Sequence, residues 1–314
     1  MLPYFPFERD DYALTMNARI LPLDRLIEID RAHYRQQLDE KAAILARDHR
    51  YYCQTPPDTI AACWEALELL LPNMARHDPE HFALDRAGAA WRWTNRLLGT
   101  TTAFTLGDAA TLPLSPLDWL GRQVQEDLLI MDTTAPGTPL VAGQLCFGAG
   151  WSLDSKLGQS FLAIHDPVPG FSDGRVGRSA DLLMQRARAA APTGRIGWSF
   201  VLDGTLNHAP CLDKNWRAGA AAIDDANAGE RCYLRLERQT FSRLARTGAL
   251  LFTIHTYVAP LGAVLAEEPG RARRLAGVLG TMPETMRRYK GMTAFAAPLI
   301  AYLETQAQAT PPVP

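Results

Sequence analysis

Several features that would reveal a protein's chemistry at a glance are missing from this sequence, and each absence narrows the field. There is no basic excess: 32 Lys and Arg stand against 34 Asp and Glu, a formal charge of −2. A chain that binds nucleic acid by neutralising phosphates carries a basic surplus or stripe, so nucleic acid is not an expected partner. Cysteine is scarce. Cys53, Cys63, Cys146, Cys211 and Cys232 are odd in number, scattered, and contain no CxxC pair. That argues against a disulfide framework or a four-cysteine zinc site and fits a reducing, cytoplasmic compartment. The opening MLPYFPFERDDYAL lacks the basic stretch and long apolar core of a secretory signal. Residues 248–266 carry no formal charge and approach the length of a membrane span, but they include His255 and Pro260. Their first half alternates with a strand period, so a buried strand is expected there and no membrane partner. Glycine loops are missing too. FGAGWS holds Gly148 and Gly150 without a third glycine at the required spacing, and neither GxxxxGK[ST] nor GxSxG occurs.

What is present describes a globular chain, 47% apolar and 21% charged, long enough for one large domain or two ordinary ones. Apolar residues recur at helical spacing over 24–46 and over 58–71, with Pro72 as the expected stop, and again over 118–131. From residue 140 strand patterning takes over. Strands are expected over 140–147, 160–165, 195–202, 232–241 and 250–258, with a helix over 179–191. The short polar loop SRLARTG predicts a hairpin between the last two strands. Helical text over 271–278 and 283–302 precedes a polar tail. Strands do not alternate regularly with crossover helices, so the expected class is α+β. The expected division is a mainly helical region over 1–135, a sheet region over 136–262, and C-terminal helices and tail over 263–314, packed as one unit.

His165 is the most pointed candidate for chemistry. A strand from Phe161 is expected to deliver it into Asp166-Pro167-Val168-Pro169, and a proline two residues on cannot extend a central ladder. The imidazole then has rigid support and an open side, suited to a metal or a haem iron. The plainer reading is a hydrogen-bonded strand cap. In CYLRLERQTF, alternation places Arg238 with Cys232, Leu234 and Leu236 toward the core, and Glu237 with Tyr233, Arg235 and Gln239 toward solvent. A buried guanidinium needs an anion, either a ligand carboxylate such as a haem propionate or an internal one such as Asp203. His255 shares a strand face with Thr253 and Tyr257 and reads as a structural histidine. Cys146 reads as a buried inert thiol. Both stay open as alternatives to His165 at an iron. His208 reads as a loop histidine. His77 and His81 have the spacing of a helical metal site, but Pro79 between them points to a solvated loop.

Taken together, VQEDLLIM, LCFGAGWSLDSKLG, AIHDPVPG, YLRLERQTFSRLARTGALLFTIHTYV and MRRYKG run nearly the whole chain, from PYFPFE to YKG. In this order they resemble the haem-binding subunit family of heme-dependent oxidative N-demethylase, which includes a dimethylamine monooxygenase subunit. The resemblance implies a PAS-like five-stranded antiparallel sheet with extensive N- and C-terminal helical additions. It implies haem b as cofactor, O2 as co-substrate, and electrons from a separate flavin/iron–sulfur reductase subunit. The implied reaction is oxidative removal of an N-methyl group from a small, dimethylamine-like secondary amine, giving primary amine and formaldehyde. A folate-binding subunit that accepts the formaldehyde is a further implied partner. Carried over by position, His165 of IHDPVP becomes the axial ligand of the haem iron. Arg238 of ERQT becomes a residue at the haem or its propionates and in the catalytic site, Glu237 an anchor for the cationic amine, and Lys156 of KLG a counter-ion for a propionate. Two strings depart from the family. GAGW stands where a proline and a serine usually precede the tryptophan, and FTIHTY places His255 at a usual arginine. His255 is therefore also a cofactor-site candidate, and a different amine or lost turnover follows if that arginine binds substrate. The rival expectation is a PAS-like haem or small-ligand sensor without turnover.

Overall fold

The computed structural model describes residues 2–189, 191–212, 216–268 and 270–309. Its strands, in chain order, are β1 (Arg19–Ile20), β2 (Cys53–Gln54), β3 (Phe82–Ala87), β4 (Ala90–Asn95), β5 (Thr100–Thr105), β6 (Asp127–Met131), β7 (Leu140–Gln144), β8 (Thr193–Val201), β9 (Tyr233–Arg243) and β10 (Leu250–Pro260). Seven form one antiparallel sheet in the order β1-β8-β9-β10-β6-β7-β2, and β3-β4-β5 form a second. β1 and β2 are two-residue edge pairings, so five longer strands make the body of the large sheet. The mixed architecture with antiparallel sheets agrees with the α+β expectation. The hairpin is as expected: β9 and β10 pair along their whole length, from Tyr233 with Pro260 to Arg243 with Leu250.

Several expectations are corrected. Residues 160–165 are not a strand. The Ser160 hydroxyl accepts from the Ala163 amide, starting a short helix, Phe161–His165. Five residues with apolar i and i+3 positions fit either period, and the capping serine decides for the helix. The fifth principal strand is instead β6, inside what reads as a helix over 118–131. That helix is only Pro116–Gly121. All residues of β6 are buried between β10 and β7, and such a continuous apolar run cannot reveal its period. The helix Ile60–His77 runs through Pro72 rather than stopping there, because Leu70, Leu71 and Met74 on either side of it are wholly buried. Their burial outweighs the proline's lost hydrogen bond, a cost of about 3 kcal/mol. β3, β4 and β5 had no counterpart in the sequence reading. Leu250 onward is strand, and no helix among the described residues is long and apolar enough to cross a membrane.

The large sheet has two differently clothed faces. Its front carries Leu129, Phe241, Leu250 and Ile254, which pack against Leu153, Phe161, Phe171, Ala180 and Met184 from the segment between β7 and β8. That segment includes the helices Leu153–Lys156, Phe161–His165 and Arg175–Gln185. On the reverse, Leu234, Leu236 and Phe200 meet the helices Arg271–Thr281 and Ala296–Ala309, while Leu128, Ile130 and Leu251 meet the N-terminal helices and the small sheet.

Candidate functional site

Strand alternation sorts the candidate residues by face. The register sets Gly197, Glu237 and Thr256 side by side across β8, β9 and β10, with Arg195, Gln239 and Ile254 in the next row. These belong to the front. Ile196, Arg238 and His255 form the row between them and point to the reverse.

His165 stands over the front at the last turn of its short helix, half buried. Its ring lies 4.6 Å from that of Phe171, nearly parallel, and 4.6 Å from that of Phe161. Nδ1 is 2.8 Å from the Phe161 carbonyl oxygen. A carbonyl can only accept, so the proton sits on Nδ1 and the lone pair on Nε2. Burial lowers its pKa, as do the nearby charges of Arg195 and Lys156, so the ring is held neutral, the form that ligates metals. Lys156 donates from Nζ to the Ile164 carbonyl at 2.6 Å, which ties the helix Leu153–Lys156 to the histidine's helix. Burial lowers the Lys156 pKa as well.

Glu237, expected to face solvent, is largely covered. Its Oε1 is 3.2 Å from a guanidinium nitrogen of Arg235, and its Oε2 accepts from Gln239 at 3.0 Å. Arg235 is completely buried and also donates to the Phe147 and Leu206 carbonyls, at 2.5 and 2.7 Å, and to the Thr256 hydroxyl. The carboxylate is thus held in one orientation, with Arg195 and Lys290 as further positive charges in its surroundings. Lys290 follows the helix Glu284–Tyr289, closes the free edge of β8 by donating to the Trp198 carbonyl at 2.7 Å, and lies over the Trp198 ring. Its burial pulls the ammonium down to about 8. The sequence reading missed Arg195, Arg235 and Lys290. Arg235 shared the predicted face with Glu237, which was signal enough, whereas only tertiary packing brings Lys290 to the sheet.

The structure does not bring Arg238 or His255 to this place. Arg238 is buried on the reverse as alternation predicts, but its partner is Glu28 at 3.3 Å, not Asp203. It also donates to the carbonyls of Leu26 and Arg25. Cross-strand from it, His255 is fully buried, stacks on Tyr257 at 4.4 Å, and reaches Glu126 Oε1 through Nδ1 at 3.1 Å. Glu126 is also bonded by the Glu28 amide at 2.8 Å, and Glu28 by the hydroxyls of Tyr4 and Tyr257. This is an internal charged network with His255 as a member. Cys146 is wholly buried with its thiol pushed well up by burial, so it is no thiolate. His208 is tied to the Thr205 carbonyl at 2.8 Å, and His81 to Asp78 at 3.0 Å. Two surface grooves, of about 290 and 200 Å³, are lined by none of His165, Arg195 or Glu237.

The front face therefore presents a neutral imidazole with a free Nε2, a fixed carboxylate and a group of cations. A family model for haem-dependent oxidative N-demethylase, alpha subunit-like, matches residues 17–300. The chain belongs to this family. The match takes in all ten strands, the three helices over the front face, and Lys290. The residues gathered here also fit a haem on chemical grounds. His165 offers the lone pair that an iron takes, and Lys156 and Arg195 offer positive charge of the kind that neutralises propionates. The orphaned, buried Nε of Arg195 is an observation of the same sense.

Proposed function

We propose that this chain is the haem-binding oxygenase component of a multi-subunit enzyme that oxidatively demethylates a small secondary amine, releasing primary amine and formaldehyde. The observation that carries the reading is His165: Nδ1 is committed to a carbonyl and the half-buried ring is held neutral, leaving Nε2 as the nitrogen that would ligate an iron. The five principal strands, numbered among themselves, run 2-1-5-4-3, with the helices between the second and third covering the front, which supports a PAS-like haem domain. When bound, haem b would supply dioxygen activation, with electrons from a separate flavin/iron–sulfur reductase, since the chain has no electron-transfer motif of its own.

The protein's own residues bind and orient. Phe171 stacks on the ligand imidazole and Phe161 packs against it at a tilt, and together they fix its plane. Glu237 receives the protonated amine, and Arg235 and Gln239 keep its carboxylate pointed there, so the N-methyl carbon is held in one place. Lys156 joins the His165 helix to its neighbour and adds a positive charge at the rim. Arg238 and His255 act from behind the sheet, by holding Glu28 and Glu126. A folate-binding subunit that takes up formaldehyde belongs to the same reading.

The test is hemin titration followed by aerobic turnover. The wild-type chain should take up one hemin with a histidine-type Soret band, H165A should lose it, and dimethylamine with a reductase should release formaldehyde. Absence of a Soret band on reconstitution overturns the proposal. Hemin binding without formaldehyde from any methylamine returns the sensor reading.

A further inference from the structure

The cations on the front face and at the β8 edge are not equally engaged. Lys156 bonds the Ile164 carbonyl, Lys290 bonds the Trp198 carbonyl, and Arg235 holds two carbonyls, a hydroxyl and Glu237. Arg195 differs. Among the described residues no hydrogen bond engages it and no carboxylate lies within 4 Å, while its Nε is buried without a partner. Glu237, diagonal to Arg195 in the register, acts on it through its charge, but no hydrogen bond or ion pair within 4 Å joins the two, and both carboxylate oxygens are already bound.

A partly buried guanidinium left unpaired loses solvation without return, so such a residue is expected to meet an anion in the working state. Its five N–H donors form a planar fork that matches a carboxylate's two oxygens. The position is specific: Arg195 stands on the front face in one row with Gln239 and Ile254, next to the row of Gly197, Glu237 and Thr256, and Ile254 packs in one cluster with Phe161 of the His165 helix.

We infer that Arg195 is the carboxylate-binding residue of the front-face site, engaging an anionic ligand placed between β8, β9 and the helix Phe161–His165. The inference rests on the site proposed above and deepens it. Two sources offer this chemistry: a propionate of the haem, or the carboxylate of an N-methyl amino acid whose ammonium end would lie at Glu237. The second would make the substrate a zwitterion rather than a bare dialkylamine, and the pairing of one free cation with one fixed carboxylate suits it.

Soret titration of wild type, R195Q and R195K with hemin and with hemin dimethyl ester separates the sources. Folding is checked by circular dichroism. If a propionate is the ligand, R195Q should bind hemin about tenfold or more weakly, R195K should recover part of the loss, and the dimethyl ester should bind wild type and R195Q alike. If the substrate supplies the carboxylate, hemin affinity stays unchanged. N,N-dimethylglycine then stabilises wild type but not R195Q in a thermal-shift assay, and dimethylamine treats both alike. The thermal-shift arm runs on hemin-free protein as well, so a chain that takes no hemin fails the haem reading while still testing Arg195. R195Q with unchanged affinity for both hemin and N,N-dimethylglycine overturns the inference.

Discussion

Nδ1 of His165 lies 2.8 Å from the carbonyl oxygen of Phe161, one helical turn earlier in the chain. That contact chooses the tautomer, and with it which nitrogen can bind a metal. Phe171, stacked on the ring, fixes its plane. A histidine at a strand end, as the sequence suggested, would have had no carbonyl four residues back to receive Nδ1.

A pH dependence follows from this arrangement. Burial holds the His165 pKa below the ordinary 6.5, so the native state binds fewer protons than the unfolded chain between the lowered value and 6.5. Stability of the hemin-free protein should therefore rise with pH through that window, and the rise should shrink in H165L. Hemin ligation, followed by the Soret band, should persist somewhat below pH 6.5. A wild-type and H165L pair with identical pH profiles would refute this.

Arg235 is expected to matter more than any surface arginine. R235A would leave Glu237 and the Phe147 and Leu206 carbonyls without their donor, costing about 3–5 kcal/mol in urea unfolding. R235K should retain charge but lose the fork, giving a smaller loss. Loss of less than 1 kcal/mol in R235A, a figure typical of an exposed ion pair, would show that the guanidinium does not anchor this face.

The His255–Glu126 pair makes a prediction at low pH. Burial works to raise the Glu126 pKa, but the charge and hydrogen bond of His255, the Glu28 amide and Arg238 outweigh it, and the carboxyl is held below 4.5. Its contribution is present above the unfolded value and lost as pH falls through the lowered native one. H255A should cost about 3–5 kcal/mol at neutral pH and move the acid-unfolding midpoint upward. Double-mutant cycles with E126Q should show strong coupling, and additive effects would contradict the pairing.

Lys290 acts at the alkaline end. Its native pKa of about 8 lies below the ordinary 10.5, so the native state holds fewer protons between these values. Stability attributable to this residue should rise with pH from about 8 to 10.5. K290M should lack that rise, as measured by urea midpoints across the range.

Much of the fold was legible because its signals are local. The alternation in β8, β9 and β10 and the short polar string SRLARTG near the turn between the last two specify a hairpin regardless of surroundings. The same alternation correctly turned Arg238 inward. It misled at Glu237, because residues on the outward face are covered by a segment from elsewhere in the chain, the helices between β7 and β8. β6 was misread because burial on both sides erases the period, and the helix Phe161–His165 because five residues cannot display one.

The sequence by itself determined the family and the faces of the long strands, since both depend on short strings and a two-residue period. Only the tertiary structure decided that Arg238 and His255 belong to a network behind the sheet while Arg195 and Arg235 stand with Glu237 in front and Lys290 closes the β8 edge beside them. Which charges meet is settled by strand register and by which helix covers which face, and those are contacts between residues far apart in the chain.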